Sequence, residues 1–155
     1  ERMPATSPAT AFIHNDYRFD NVVLAPEDPL RIIGVLDWEM ATVGDPLMDL
    51  GGALAYWVDR EDPSEMQAIR LVPTHREGMM TRGEVVAHYC AGMGLPEDNM
   101  DFYYTFGLFR LAVIAQQIYY RFYHGQTRDQ RFGMLIFAVH VLEKKARQVM
   151  ETGRI

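Results

Sequence analysis

Apolar residues in the second half of this chain recur at helical spacing, whereas in the first third they come in short runs cut by polar turns. Phe102, Phe106, Phe109, Val113, Gln117 and Tyr120 alternate with a second apolar row. This predicts a helix from about Asp98 to His124, buried on most sides and ended by Gly125. Phe132, Leu135, Ile136, Val139, Leu142, Ala146 and Val149 form one stripe of a last helix, about Arg128 to Thr152, with Glu143 and Arg147 as an i,i+4 ion pair outside. These two helices should pack as an antiparallel pair. Thr81-Arg82-Gly83-Glu84 has the form of a capping box, opening a helix that runs to about Met93, before Gly94 and Pro96. Leu47, Leu50, Leu54 and Trp57 or Val58 predict another from Pro46 to about Val58, with Asp45 as N-cap and Gly51-Gly52 allowing close packing. Residues 59–80 have no clear period and read as a substrate or lid loop, or a flexible connection.

Upstream of Pro46 the pattern changes to strands. Phe12-Ile13 and Val22-Val23-Leu24 bracket a polar loop, and Arg31 to Leu36 is a second β-rich run after a turn containing Pro26, Glu27, Asp28 and Pro29. The expected class is therefore α+β, mostly α: a short β-hairpin packed on a helical bundle. The 155 residues suffice for one domain, divided into a linker at 1–10, loops and hairpin at 11–45 and a helical part at 46–155. Composition narrows the setting. The net charge of −6 and the absence of a large Lys/Arg cluster argue against nucleic-acid binding. No apolar run reaches the roughly 20 residues of a membrane span. A single cysteine, Cys90, permits no internal disulfide and suits a reducing cytoplasm.

The polar loop holds the candidate chemistry: His14-Asn15-Asp16-Tyr17-Arg18-Phe19-Asp20-Asn21, then Leu36-Asp37-Trp38-Glu39 after the hairpin. Phosphoryl transfer requires a base near the acceptor hydroxyl and hard oxygen ligands for the divalent metal that bridges the phosphates. Asp16 can serve as the base, and the Asn21 amide oxygen and the Asp37 carboxylate as Mg²⁺ ligands. Taken singly, each could be an ordinary turn former. Arg18 reads equally as a phosphate contact and as a solvated surface arginine, and Glu39 as an outer carboxylate or a ligand of a second metal. Tyr103, Tyr104, Tyr119, Tyr120, Phe122 and Tyr123 could line an acceptor pocket, although core packing is the commoner fate of such a stripe.

His14-Asn15-Asp16 through Asn21, followed by Asp37, resembles the catalytic and metal loops of the aminoglycoside phosphotransferase and choline kinase superfamily. With Leu36-Asp37-Trp38-Glu39-Met40-Ala41-Thr42 and Gly44-Asp45-Pro46-Leu47-Met48-Asp49-Leu50, the first third is most similar to the kinase-like domains associated with acyl-CoA dehydrogenases. The resemblance implies the C-terminal lobe of a protein-kinase-like fold, with ATP and Mg²⁺ as cofactors and a small-molecule hydroxyl as acceptor, aminoglycoside-like or hydroxyacyl-CoA-like. It further implies that His14 is a structural hydrogen-bonder and that Asp49 accepts hydrogen bonds from the catalytic-loop backbone. No nucleotide-covering loop or phosphate lysine precedes His14. The expectation is an inactive fragment that lacks the N-terminal lobe of the same protein and exposes an apolar face open to self-association. Two alternatives stand beside it: a metal-dependent phosphohydrolase using His14, Asp16, Asp37 and Asp45, and a non-catalytic pseudokinase or interaction module.

Overall fold

The computed structural model describes residues 3–155. Strand β1 (Ala11–Ile13) pairs antiparallel with β4 (Thr42–Gly44), and β2 (Val22–Ala25) with β3 (Asp28–Val35). The β2–β3 hairpin turns on Pro26 and Glu27 alone, since Ala25 faces Asp28, so β3 starts three residues before the expected Arg31. It ends at Val35, and Leu36 already belongs to the following loop. The β1–β4 pair went unforeseen because three-residue strands carry too little alternation to be read. Its effect is to close residues 14–41 into one excursion that starts and ends at the same place. Leu24, Leu30, Ile32 and Ile33 on the hairpin are all exposed, with Leu30 at 92%.

Five helices follow: α1 (Pro46–Leu54), α2 (Ser64–Ala68), α3 (Arg82–Met93), α4 (Met100–Tyr123) and α5 (Leu135–Thr152). Asp45 caps α1 by accepting from Leu47 N at 2.8 Å, with Pro46 in the first turn. Helix α1 stops at Leu54, short of Val58. Tyr56 N and Trp57 N donate to the carbonyls three residues back, and Val58 exchanges two hydrogen bonds with the Thr74 hydroxyl instead. The capping box forms on α3, with Glu84 N donating to Thr81 Oγ1 and Thr81 N to Glu84 Oε2; Gly94 then closes the helix in the left-handed region. The last helix starts at Leu135 rather than at the expected Arg128, and a 3-10 turn at Gln130–Met134 stands in place of its beginning, where Asp129 accepts from Arg131 N and Gly133 lies against the Phe122 ring.

Leu47, Leu50, Leu54, Tyr104, Leu108, Leu142 and Val149 form the core, drawn from α1, α4 and α5. Helices α1 and α4 cross with backbones in contact: a Cβ on Gly51 would lie 2.3 Å from Tyr103 O, and one on Gly107 2.1 Å from Gly51 O. Tyr103 and Tyr104 belong to this core, whereas Tyr120 and Tyr123 are exposed. Residues 59–80 are not a loose connection. The buried Arg82 guanidinium binds Trp57 O at 2.9 Å and both Asp62 oxygens at 2.5 and 2.8 Å, and lies 3.4 Å from Asp59, while Lys145 of α5 reaches Asp62 at 3.4 Å. Among the described residues no helix is long and apolar enough to cross a membrane.

Candidate active site

The loop after β1 is held from behind by α1. Asp49 accepts from the backbone N–H of His14 at 2.7 Å and of Asn15 at 2.8 Å, in charge-assisted bonds worth roughly 1.5–3 kcal/mol each. His14 is buried. Its Nδ1 accepts from Asp16 N at 3.1 Å and its Nε2 donates to Leu36 O at 2.7 Å, so the imidazole ties the loop after β1 to the end of the hairpin. Trp38 stacks on Phe12 and packs at a tilt against His14, with ring centroids 5.6 and 4.6 Å apart, and donates its indole N–H to Val35 O.

Asp16 and Asn21 meet directly. Asn21 Nδ2 donates to the Asp16 backbone O at 2.8 Å and to Asp16 Oδ2 at 3.0 Å, and a 3-10 turn at Phe19–Asn21 brings the two together. Arg18 Nε lies 3.7 Å from the same Oδ2, and the guanidinium covers the Tyr56 ring at 5.2 Å. Burial pushes the Tyr56 phenol up from its ordinary pKa, the Arg18 charge draws it back and Asp16 pushes it up again. Among the described residues these contacts use Asp16 Oδ2 and Asn21 Nδ2 and leave Asp16 Oδ1 and Asn21 Oδ1 without a hydrogen bond.

Asp37 follows immediately, because Leu36 N donates to Asn21 O at 2.8 Å as an extension of the Val22–Val35 pairing. Asp37 is exposed and left-handed, at φ 64°, and among the described residues its carboxylate has no hydrogen bond or ion pair. Such a conformation costs roughly 1–2 kcal/mol outside glycine, least for Asn and Asp. The free carboxylate and the free amide oxygen are hard donors of the kind Mg²⁺ takes, too few for a cage built of protein alone and suited to a metal that arrives on phosphates. Glu39, in the next 3-10 turn, is exposed. Among the described residues no three His, Cys, Asp or Glu side chains converge as a metal set. Both His14 nitrogens are engaged, and Asp45 spends its oxygens on Leu47 N and Tyr103 OH, so these two do not supply the ligands a phosphohydrolase centre would use.

The family model of the phosphotransferase enzyme family (APH) matches residues 1–79, just over half of the chain. The chain belongs to the phosphotransferase enzyme family. A crystal structure from Ralstonia eutropha assigned as an aminoglycoside phosphotransferase superposes with a TM-score of 0.65 at 28% identity, covering 87% of this chain and 43% of that one. The fold of this phosphotransferase family member is accordingly that of a protein-kinase-like C-terminal lobe. Acyl-CoA dehydrogenase family member 10 from Mus musculus is 38% identical over 76% of the chain, and acyl-CoA dehydrogenase family member 11 from Homo sapiens 32% identical over 84%. The chain spans 11% of the mouse protein and 16% of the human one.

Two residues of the candidate site, Tyr56 and Arg110, escaped the sequence reading, and a third, Asn15, was read there only as part of the His14-Asn15-Asp16 motif. Asn15 is the second left-handed residue of the site, at φ 66°; its Nδ2 donates to Met40 O at 3.0 Å and its carbonyl accepts from Arg110 at 2.8 Å. Arg110 did leave a signal, as the one charged residue between Asp101 and Arg121 in an otherwise apolar helix. Together with Asp16, Tyr17, Leu111 and Ile114, these three residues line a small cavity of about 30 Å³.

Proposed function

We propose that the protein carrying this chain transfers the γ-phosphate of ATP to a hydroxyl of a small molecule, with Asp16 as base and Asn21 and Asp37 as Mg²⁺ ligands. The Asn21–Asp16 contact carries this reading. One amide holds both side chains together through two hydrogen bonds, which in this reading leaves a carboxylate oxygen for the acceptor and an amide oxygen for the metal. The acceptor hydroxyl donates to Asp16 Oδ1, and as its oxygen bonds to the γ-phosphorus the proton passes to that carboxylate while the bond from the γ-phosphorus to the bridging oxygen breaks and ADP leaves. Bound Mg²⁺ supplies charge neutralisation on the phosphates. Arg18, beside Asp16, adds a cation on the same side. His14 and Asp49 hold the loop, and Glu39 stands outside the metal ligands.

Similarity to the acyl-CoA dehydrogenase family members favours a hydroxyacyl-CoA-type acceptor, whereas the name of the Ralstonia eutropha structure favours an aminoglycoside. The former ranks first because of the higher identity. A nucleotide-covering lobe of the same protein completes the clamp in this reading. The exposed Leu30, Ile32 and Ile33 support a covering partner, either that lobe or a second copy. We place the reaction in the cytoplasm and expect the isolated chain to turn over slowly or not at all.

Asp16→Asn in the intact protein should lower kcat about 10²- to 10⁴-fold with the affinity for Mg²⁺–ATP retained. Asp37→Asn should instead weaken Mg²⁺-dependent nucleotide binding in calorimetric titration. Near-normal turnover by Asp16→Asn would sink the assignment of the base.

A further inference from the structure

Asn15 is held from three directions at once. From α1, Asp49 Oδ1 accepts its N–H at 2.8 Å; from the loop after β3, Met40 O accepts its Nδ2 at 3.0 Å; from α4, the Arg110 guanidinium donates to its carbonyl at 2.8 Å and to its Oδ1 at 3.3 Å. All four polar groups of Asn15 are therefore used. The residue is left-handed, a conformation that persists only where the surroundings over-determine it. Asp16 is the next residue along the chain.

The two helices that supply Asp49 and Arg110 are those that touch backbone to backbone at Gly51 and Gly107. Asp49 lies two residues before the first glycine, and Arg110 three residues, about one helical turn, after the second. The crossing sets how far apart the two anchors stand, and Asn15 spans between them. Arg110 also faces the small cavity beside Asp16, Tyr17 and Tyr56, so one side chain borders the acceptor side and grips the loop.

We infer that Arg110 is a positioning residue for Asp16: its planar fork on the Asn15 carbonyl and side chain locks the left-handed turn that aims the carboxylate. The grip on the loop is a property of this chain whatever reaction it serves; the effect on turnover rests on Asp16 being the base. A lysine at the position reaches one acceptor as a point charge and cannot fork across two. A methionine keeps the helix and the packing and removes both bonds.

The first measurement is amide hydrogen exchange by NMR on the chain itself, comparing wild type, Arg110→Met and Arg110→Lys. The Asn15 and Asp16 amides, bonded to Asp49 and to His14 Nδ1, should exchange about ten- to a hundredfold faster in Arg110→Met and less so in Arg110→Lys, while those of the buried Leu108 and Val149 stay within about twofold. Unchanged exchange at Asn15 and Asp16 overturns the inference. Acceleration of all four amides together also overturns it, since that marks a merely structural arginine. The second measurement is turnover in the intact protein. Arg110→Met should lower kcat by about the same factor with KM for the nucleotide unchanged, and Arg110→Lys should recover part of the loss. Faster exchange at the loop with kcat unaltered overturns the link to Asp16. The Asp16→Asn variant, run beside them, tests the base separately: if it keeps its turnover, the assignment of Asp16 fails while the exchange result still decides the grip of Arg110.

Discussion

Replacing Gly107 by alanine probes the contact on which the site geometry depends. The added Cβ would stand 2.1 Å from Gly51 O, 2.7 Å from Gly51 C and 3.1 Å from Gly52 N, all backbone atoms that cannot rotate aside. Ordinary contact begins near 3.4 Å, so α4 must retreat from α1 by roughly 1.3 Å, the difference between 3.4 and 2.1. A gap of about 0.5–1 Å already forfeits a quarter to a half of each dispersion contact it opens, this one is wider, and Leu50, Leu54, Tyr104 and Leu108 line the interface. Against the loss stands a helix-propensity gain of about 1 kcal/mol. Overpacking with interface loss outweighs it, and the net destabilisation should be about 2–4 kcal/mol. In urea unfolding followed by circular dichroism the midpoint should fall without a change of slope, and the melting temperature should drop by about 4–16 °C. Gly92→Ala is the internal control: it lies exposed in α3, nothing lies within 4 Å of its Cβ position, and it should stabilise by about 0.5–1 kcal/mol. A Gly107→Ala protein as stable as wild type, or both variants moving the same way, would refute the close crossing.

Asp49→Ala removes both acceptors of the His14 and Asn15 amides, so stability should fall by about 2–4 kcal/mol and those amides should lose their exchange protection first. Arg82→Met strands Asp59 and Asp62 in a buried setting and should cost about 3–5 kcal/mol in urea unfolding; Arg82→Met combined with Asp62→Leu should recover part of that loss. Burial, the hydrogen bond to Asp45 and the Asp45 charge together push the Tyr103 phenol up to about 12 from its ordinary 10.0. The folded protein therefore holds that proton more tightly than the unfolded chain, and about 2–3 kcal/mol of stability present below pH 10 is lost as pH rises through about 12. Tyr103→Phe should make the decline over that window shallower in melts followed at each pH, and an unaltered decline would remove Tyr103 as its source.

Most of the helices were legible because their signals are local. A capping box at Thr81–Glu84, an Asp-Pro start at residue 45 and an apolar stripe on α5 each act within a few residues; the first two appear where the pattern puts them, and the third from Leu135 onward. Asp16, Asn21 and Asp37 were legible as a spaced set, since a five-residue loop and a hairpin can return them to one place only in a few ways. The early end of α1 was not. Val58 leaves the helix for the hydroxyl of Thr74, sixteen residues on, and no local propensity records such a partner.

The sequence by itself determined the long helices and the hairpin, and it singled out the oxygen-bearing side chains on which the proposal rests, because propensity, capping and loop spacing are short-range properties. Tertiary structure alone decided how those side chains are aimed. Asn15 was part of a motif in the sequence, but its anchoring came only when α1 and α4 met at two glycines and brought Asp49 and Arg110 to it. The partner that fixes a strained turn can sit ninety-five residues away, as Arg110 does, and nothing in the intervening chain encodes that distance except the packing that closes it.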